Sequence, residues 1–221
     1  MPTEELLQRL HSFSLPGGEE VARRIRAVRT TERGEFRTAP GSRWMPFTAE
    51  QEIDSTCSRF RWNARFARGW TRLLEVTDAY EDSRGYLVLR VGGVTVKKSA
   101  GPDLDNGELQ RYLAAVSLCP PILLNHPSLE WTAPGPSTLR VRDGEATVDL
   151  HIGPDGSPSG FSAMRPRMEG KRTILTPWSG SADGFRDWEG LRLPRHLEVS
   201  WNLTDGLFTY YKADLTSFEL A

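Results

Sequence analysis

The chain has 221 residues, of which 38% are hydrophobic and 10% aromatic, and it carries 28 basic and 29 acidic side chains. This apolar content is enough for a core, and all-β folds of this length often form one unit, so we predict a single domain over residues 1–221. A net charge of −1 with no basic run argues against nucleic acid as a partner.

Nothing in the sequence indicates a membrane span or an export signal. No window approaches the roughly 20 consecutive apolar residues that cross a bilayer, so we expect no stable membrane insertion. The start "MPTEELLQRLHSF" lacks the features of a signal peptide. Cys57 and Cys119 stand far apart and neither has a CxxC partner, which favours reduced thiols. We therefore expect a cytoplasmic protein.

The segment 1–28 predicts two short amphipathic helices. In "EELLQRLHSF", Leu6 and Leu10 fall on one side of a helix. After the break at "SLPGGEE", the stretch "EEVARRIRAV" places Val21 and Ile25 on one stripe of a second helix. The hydrophobic period then changes from that of a helix to that of a strand.

The segment 29–100 predicts a first set of strands. "RTTERGEFRT" and "RWMPFTAEQEID" form a pair joined by an Ala-Pro-Gly-Ser turn. "RFRWNARF" alternates strictly, which indicates a half-buried strand with one apolar face. Two or three more strands follow, with breaks at the segment 81–85 and at Gly92-Gly93. The apolar positions of the alternating strand are Phe60, Trp62, Ala64 and Phe66.

The segment 101–126 predicts a central helix. It opens with Pro102 and capping residues, and it ends at Pro120-Pro121. Its apolar stripe consists of Leu109, Tyr112, Leu113 and Val116.

The segment 127–221 returns to a period of two and predicts a second set of strands. Three Asp-Gly pairs between alternating segments favour antiparallel hairpins over βαβ units. These pairs are Asp143-Gly144, Asp155-Gly156 and Asp205-Gly206.

The pentapeptide "TPWSG", Thr176 to Gly180, raises the question of a serine nucleophile. A nucleophile elbow needs Gly-x-Ser-x-Gly between a strand and a helix, whereas Ser179 follows Trp178 and no helical pattern comes after it. We interpret the motif as a strand end, where Pro177 limits pairing, Ser179-Gly180 turns the chain and the indole faces the apolar side.

The predicted elements indicate a mainly β (α+β) fold. About ten strands exceed what a flat open sheet usually holds, and few helices are available to cover them. We therefore predict a strongly curved antiparallel sheet, or half-barrel, with the N-terminal helices and one central helix packed against it, enclosing a concave cavity. A tryptophan can line such a cavity or simply fill the core, and both roles stay open for each of the seven. They are Trp44, Trp62, Trp70, Trp131, Trp178, Trp188 and Trp201.

Several motifs along the chain resemble those of an uncharacterised bacterial family. In chain order these are "WMPFTAEQ", "FRWNAR", "VTDAYEDSRG", "GPDLDNGELQRYL", "TPWSG", "GLRLP" and "EVSWNLTDG". The resemblance covers roughly residues 30 to 218 and implies no established activity. After "QRYLA" that family typically has an acidic residue, where this chain has Ala115.

The order of early strands, central helix and late hairpins also resembles LolA-like lipoprotein-carrier half-barrels. This resemblance implies an apolar cavity that can take acyl chains or another hydrophobic molecule. A role in lipoprotein transport would require export, for which the sequence shows no signal.

Eight residues are candidates for contact with a ligand. Arg111, at the edge of the helical stripe, needs a carboxylate partner, which Asp78 or Glu198 could supply. Three roles stay open for these groups: a structural ion pair, a polar anchor for a ligand head group, and acid–base catalysis. The full set is Trp62, Asp78, Tyr80, Arg111, Tyr112, Trp178, Glu198 and Trp201.

Three functions are compatible with these features. The first is binding of a hydrophobic small molecule in the cavity of the curved sheet. The second is a cofactor-independent enzyme, a cyclase or isomerase, acting on an apolar substrate there. The third is an interaction module with a filled core. The four histidines have no metal-site spacing and no nucleotide fingerprint is present, so we expect neither a metal nor a cofactor, and no catalytic residue is assigned.

Overall fold

The computed structural model describes residues 2–68, 72–170 and 172–221. Trp70 lies outside the described residues. The helices are α1 Pro2–Ser14, α2 Glu19–Arg24, α3 Pro102–Ala114 and α4 Ile122–Asn125, with a 3-10 turn at Ala115–Ser117 between α3 and α4. The strands of the first half are β1 Ala27–Phe36, β2 Met45–Asp54, β3 Phe60–Arg68, β4 Arg72–Glu81, β5 Arg84–Val91 and β6 Val94–Ala100. Those of the second half are β7 Glu130–Gly135, β8 Thr138–Asp143, β9 Ala146–Ile152, β10 Pro158–Glu169, β11 Arg172–Asp183, β12 Arg186–Trp188, β13 Leu191–Leu193, β14 His196–Leu203 and β15 Gly206–Leu220.

A single large antiparallel sheet dominates the molecule. Its 13 strands run in the order β6-β5-β4-β3-β2-β1-β15-β14-β11-β10-β9-β8-β7, and β12 and β13 form a separate small hairpin. The two halves of the chain meet where β1 pairs with β15. The sheet is curved and does not close into a barrel, so the predicted mainly β half-barrel is confirmed. It has more strands than the ten predicted.

The alternation of β3 places its apolar side chains on the concave face. Phe60, Trp62, Ala64 and Phe66 are all buried, and the arginines between them are exposed. This pattern continues on β2, where Phe47 and Ile53 are buried. The core therefore lies between the concave face and the helices that cover it.

The central helix α3 covers the concave face and reaches both halves of the sheet. It packs against β4, β5 and β6 on one side and β8, β9 and β10 on the other. Of the predicted stripe, Tyr112, Leu113 and Val116 are buried and Leu109 is half-buried. The predicted single central segment is divided into α3, a 3-10 turn and α4.

The second N-terminal helix is shorter than the sequence predicts. It ends at Arg24, Ile25 adopts an extended conformation and β1 begins at Ala27. Val21 lies on the exposed side of this helix. Ala27 and Val28 pair with β2 instead, because tertiary pairing overrides a weak helical preference.

The interpretation of "TPWSG" as a strand end is wrong. The pentapeptide lies within β11, and its residues pair with β10 from Thr176 to Gly180. Pro177 is tolerated because pairing with β14 starts only at Trp178, so no strand on that side needs its missing N–H. Gly180 does not turn the chain. Its lack of a side chain makes room for Phe161, because a Cβ atom at position 180 would lie 2.3 Å from the Phe161 ring. The expected burial of Trp178 is confirmed.

The hairpin turns are where the sequence predicts them. The three Asp-Gly pairs connect β8 to β9, β9 to β10 and β14 to β15, and the glycines adopt positive φ angles. The break at Gly92-Gly93 separates β5 from β6. Local turn chemistry is therefore sufficient to locate these connections.

Candidate functional site

A large cavity lies between the concave face of the sheet and α3. Its volume is about 520 Å³, within the range of roughly 300–1,000 Å³ typical of small-molecule sites. Most of the lining is aliphatic and aromatic, contributed by both halves of the sheet and by α3. Its apolar side chains include Phe36, Phe66, Leu74, Val76, Leu89, Phe161, Val199 and Trp201.

A buried glutamate, Glu32 on β1, forms one polar point of the cavity lining. Its Oε2 atom accepts hydrogen bonds from the indole Nε1 of Trp62 at 3.0 Å and from the phenol of Tyr211 at 2.6 Å. Burial raises the pKa of the Glu32 carboxyl, and these hydrogen bonds partly offset the shift. The network fixes the Trp62 indole within the lining.

Arg111 on α3 forms an ion pair with Asp78 on β4, as the sequence predicts for one of its two candidate partners. The guanidinium also donates to the side-chain oxygen of Gln51 at 3.3 Å. It stacks over the rings of Phe60 and Trp62, with its central carbon 4.9 and 5.0 Å from the two centroids. The ion pair joins α3 to the sheet and lines the cavity.

A second ion pair, which the sequence analysis missed, lies next to the first. Arg165 on β10 donates to Glu108 on α3 at 2.9 Å, and both side chains are at least nine-tenths buried. The guanidinium stacks over Trp178, 4.5 Å from the ring centroid. Glu108 and Arg111 are three residues apart and therefore share one helix face, but this spacing gives no sign of Arg165 as the partner of Glu108.

The carboxyl groups of Glu108 and Asp78 are close enough to affect one another. Burial first, and then the Asp78 charge, raise the pKa of Glu108 to about 8. A hydrogen bond between the two side chains contributes to this shift in pKa, and the charges of Arg165 and Arg111 partly offset it. Since two carboxylates cannot hydrogen-bond without a proton, Glu108 carries that proton at neutral pH.

An aromatic cluster forms the wall of the cavity beside Arg165. Trp178 is almost fully buried, and its Nε1 donates to the hydroxyl of Tyr210 at 3.0 Å. Trp201 stacks on Tyr210 with centroids 6.0 Å apart, and Phe161 contacts Trp178 at 4.5 Å. These rings give the cavity a rigid apolar surface.

The structure brings five of the eight candidate residues to the cavity: Trp62, Asp78, Arg111, Trp178 and Trp201. The other three lie elsewhere. Tyr112 is fully buried in the core and donates to the backbone carbonyl of Asp54 at 3.0 Å. Tyr80 is buried next to Phe60 and does not line the cavity. Glu198 is exposed and pairs with Lys212 at 2.9 Å, so it is not a partner of Arg111.

Ala115, where the resembled family has an acidic residue, is half-buried at the start of the 3-10 turn and lines the cavity. It lies seven residues after Glu108, which places it on the same helical face. A carboxylate here would enter the cavity.

A cluster of Ser58, His126 and Asp143 has the residue types of a catalytic triad but not its order. The Ser58 hydroxyl lies between the other two groups, donating to Asp143 at 2.5 Å and lying 3.1 Å from the His126 Nε2 atom. In a triad the histidine lies between serine and carboxylate. The cluster also lies outside the cavity lining. Its geometry matches a structural hydrogen-bond network.

Within the described ranges, no group of three or more His, Cys, Asp or Glu side chains is arranged to hold a metal ion. No helix of the described residues is both long and apolar enough to cross a membrane. Cys57 is exposed and Cys119 is buried, and the two thiols are free.

Comparison with known families identifies the relatives of this chain. The model of a family of unknown function, DUF6544, matches residues 6–213. The chain belongs to the DUF6544 family. No curated protein matches it. The predicted resemblance to an uncharacterised family is therefore confirmed.

Solved structures show that this DUF6544 chain shares the LolA-like fold. A LolA superfamily protein from Nitrosomonas europaea superposes with a TM-score of 0.54 at 9% identity, covering 99% of this chain and 93% of that one. A DUF1329 family protein from Desulfovibrio piger superposes with a TM-score of 0.56 at 8% identity, with the same coverage of 99% and 93%. At such low identity, the likeness concerns the fold alone.

Proposed function

We propose that the chain binds a hydrophobic small molecule in the cavity between the curved sheet and α3. The observation that carries this proposal is a cavity of about 520 Å³ with a mainly apolar lining, which the side chains of the described residues leave unfilled. An unfilled apolar space of this size forfeits packing energy that a ligand would restore. The LolA-like fold supports the proposal, because that resemblance implies a cavity able to take acyl chains.

Native mass spectrometry of freshly purified protein tests the proposal directly. We expect a fraction of the protein to carry a small-molecule adduct that organic extraction removes, since a hydrophobic ligand acquired in the cell stays bound through burial of apolar surface. Absence of an adduct, together with failure of the extracted protein to bind an uncharged apolar dye, would contradict the proposal.

Filling the cavity should weaken dye binding. Val199 on β14 is half-buried in the lining, so Val199→Trp places an indole in the space that a ligand needs. We expect dye affinity to fall about tenfold or more in a fluorescence titration. Val96→Trp on β6 is the matched control, because Val96 is 58% exposed and lies outside the lining.

A second variant keeps the test valid if Val199→Trp does not fold. Val76→Trp introduces the same bulk from β4. Thermal melting first establishes that each variant is folded. Wild-type dye affinity in both folded cavity variants would place the binding site elsewhere.

A second candidate function is catalysis without a cofactor. It is favoured by the protonated Glu108 beside Asp78 in the cavity lining, since a carboxyl group with a pKa of about 8 can act as a general acid at neutral pH. Molecules extracted from wild-type protein and from Glu108→Gln protein, produced in the same host, distinguish the two functions. The same molecule in both indicates binding alone, and a different precursor in the variant indicates turnover.

We also propose a cytoplasmic location. Two free thiols, one of them exposed, support a reducing compartment. Cell fractionation of the native host tests this location, and recovery of the protein outside the cytoplasm would overturn it.

A further inference from the structure

This inference rests on the proposed function and concerns the polar end of the ligand. The carboxylate and amide oxygens of the cavity lining are either engaged or closed off. Both oxygens of Glu32 accept hydrogen bonds, and the side-chain oxygen of Gln51 accepts from Arg111. The remaining oxygens, Oδ1 of Asp78 and Oε2 of Glu108, are buried and have no surface open to the cavity. A ligand that offers a hydrogen-bond donor therefore finds no free carboxylate or amide oxygen in the described lining.

Two side chains around the Trp178 indole, in contrast, have donors that no described residue uses. The Arg165 guanidinium lies over the indole, with its central carbon 4.5 Å from the ring centroid, and of its five N–H groups one binds Glu108, at 2.9 Å. The Tyr210 hydroxyl accepts from the indole Nε1 at 3.0 Å, and its own hydrogen has no acceptor among the described residues. Arg165, Trp178 and Tyr210 all line the cavity.

The donors of Arg165 and Tyr210 can be reached from the cavity. The Arg165 side chain is 10% exposed and Tyr210 is half-buried, and neither residue has a polar atom that is both closed off and unpaired. Burial raises the pKa of the Tyr210 phenol, and the nearby Arg165 charge partly offsets this shift. The phenol therefore keeps its proton at neutral pH and remains a donor.

We propose that the ligand presents a carbonyl oxygen to the Tyr210 hydroxyl and the Arg165 guanidinium, while its apolar part lies among the aromatic rings of the cavity. A carbonyl oxygen has two lone pairs and can accept two hydrogen bonds. No pair within the protein has to break on binding, because Nη2 of Arg165 continues to bind Glu108. Ketones, esters and carboxylates share this oxygen, and the experiment separates the neutral groups from the charged one.

The experiment compares three ligands built on the same apolar ring, using the full chain emptied by extraction. These are 2-acetylnaphthalene, 2-ethylnaphthalene and 2-naphthoate, each titrated by displacement of an uncharged apolar dye. The first two differ only in that a carbonyl group replaces a CH₂ group. Tighter binding of 2-naphthoate than of 2-acetylnaphthalene would identify the carbonyl as that of a carboxylate, and weaker binding as that of a neutral group. Both results are compatible with the proposed contact.

Tyr210→Phe is the decisive variant, because it removes the hydroxyl and keeps the ring. We expect the affinity for 2-acetylnaphthalene, relative to that for 2-ethylnaphthalene, to fall about two- to tenfold, as one neutral hydrogen bond provides. The ratio cancels any change in cavity shape that affects both ligands alike. Tyr86→Phe is the matched control, since its phenol donates to Glu81 outside the cavity lining, and the ratio should stay as in wild type.

An infrared measurement keeps the inference testable if Tyr210→Phe does not fold, since this variant leaves the buried Trp178 Nε1 without its acceptor. Hydrogen bonding lowers the stretching frequency of a carbonyl group. We expect the band of 2-acetylnaphthalene bound to wild type to lie below its position in hexane. In folded Tyr210→Phe we expect a smaller shift, because Arg165 still donates.

An unchanged affinity ratio in folded Tyr210→Phe, or a band at the hexane position in wild type, would overturn the inference and leave the proposed function intact. A band at the hexane position in the folded variant alone would remove Arg165 from the contact. If none of the three ligands nor the uncharged dye binds, the proposed function itself fails.

Discussion

Glu108 makes the stability of the protein depend on pH in an unusual direction. Its pKa is raised to about 8 in the folded chain, mainly by burial, whereas an unfolded glutamate releases its proton near the ordinary value. Between these two values the folded state holds more protons than the unfolded state. The free energy of unfolding contributed by this group is therefore largest at low pH and declines as the pH rises towards 8.

Glu108→Gln should remove this dependence. We expect the melting temperature of the variant, relative to wild type, to increase by roughly 3–10 °C between about pH 5 and pH 8. Burial lowers the pKa of His126, so this residue changes the stability with pH in the opposite direction. Its contribution is the same in wild type and variant, and the difference between their melting temperatures removes it. A constant difference across this pH range would show that Glu108 is not protonated in the folded protein.

Glu108 and Arg165, which form the second ion pair of the cavity, could not be recognised from the hydrophobic periodicity of the sequence alone. α3 is buried on several sides because it lies within the curved sheet, so Glu108 and Gln110 are buried although they lie outside the apolar stripe. Arg165 comes from β10, which only the folded topology brings to Glu108. The Arg111–Asp78 pair was predictable, because a charge at the edge of an apolar stripe requires a partner.

The hairpin between β4 and β5 stores backbone strain. Asp82 and Ser83 both have positive φ angles, at 51° and 60°, as a two-residue turn of this hand requires. Glycine reaches this conformation without the steric penalty that serine incurs. The backbone conformation at position 83 therefore favours glycine over serine.

Ser83→Gly should stabilise the protein by about 0.5–1 kcal/mol, since it relieves this strain and creates an Asp-Gly turn. Chemical denaturation measures the change. Ser99→Gly is the matched control: it lies within strand β6 and has no positive φ angle, so glycine should destabilise there. Destabilisation by both substitutions would contradict this account.

The strands and turns of the fold were predictable where the local pattern was strong. β3 alternates strictly and its burial follows that alternation, and each Asp-Gly pair lies in a turn. "TPWSG" was misread because Pro177 and Gly180 usually interrupt strands. Their places in β11 depend on where β14 begins to pair and on the Phe161 ring, which are tertiary facts that the local sequence does not contain.

At the scale of the whole molecule, the sheet predicts how the protein unfolds. β1 and β15 lie at its centre and join the two halves, whereas β6 is an edge strand paired only with β5 and largely exposed. We expect hydrogen exchange to be slowest in β1, β2 and β15 and fastest in β6. One cooperative unfolding transition would support the predicted single domain, and two well-separated transitions would contradict it.

The sheet ends in two free edges, β6 and β7. In a closed barrel, the number of strands and their stagger fix the barrel radius, so the interior binds ligands of a narrow range of sizes. In this open sheet, a small change in curvature distributed over 13 strands alters the distance between the two edges. No hydrogen bond between neighbouring strands has to break. We therefore expect apolar ligands of different lengths to bind with similar affinity. The few charged side chains on α3 and on the strands facing it would then determine which ligands bind.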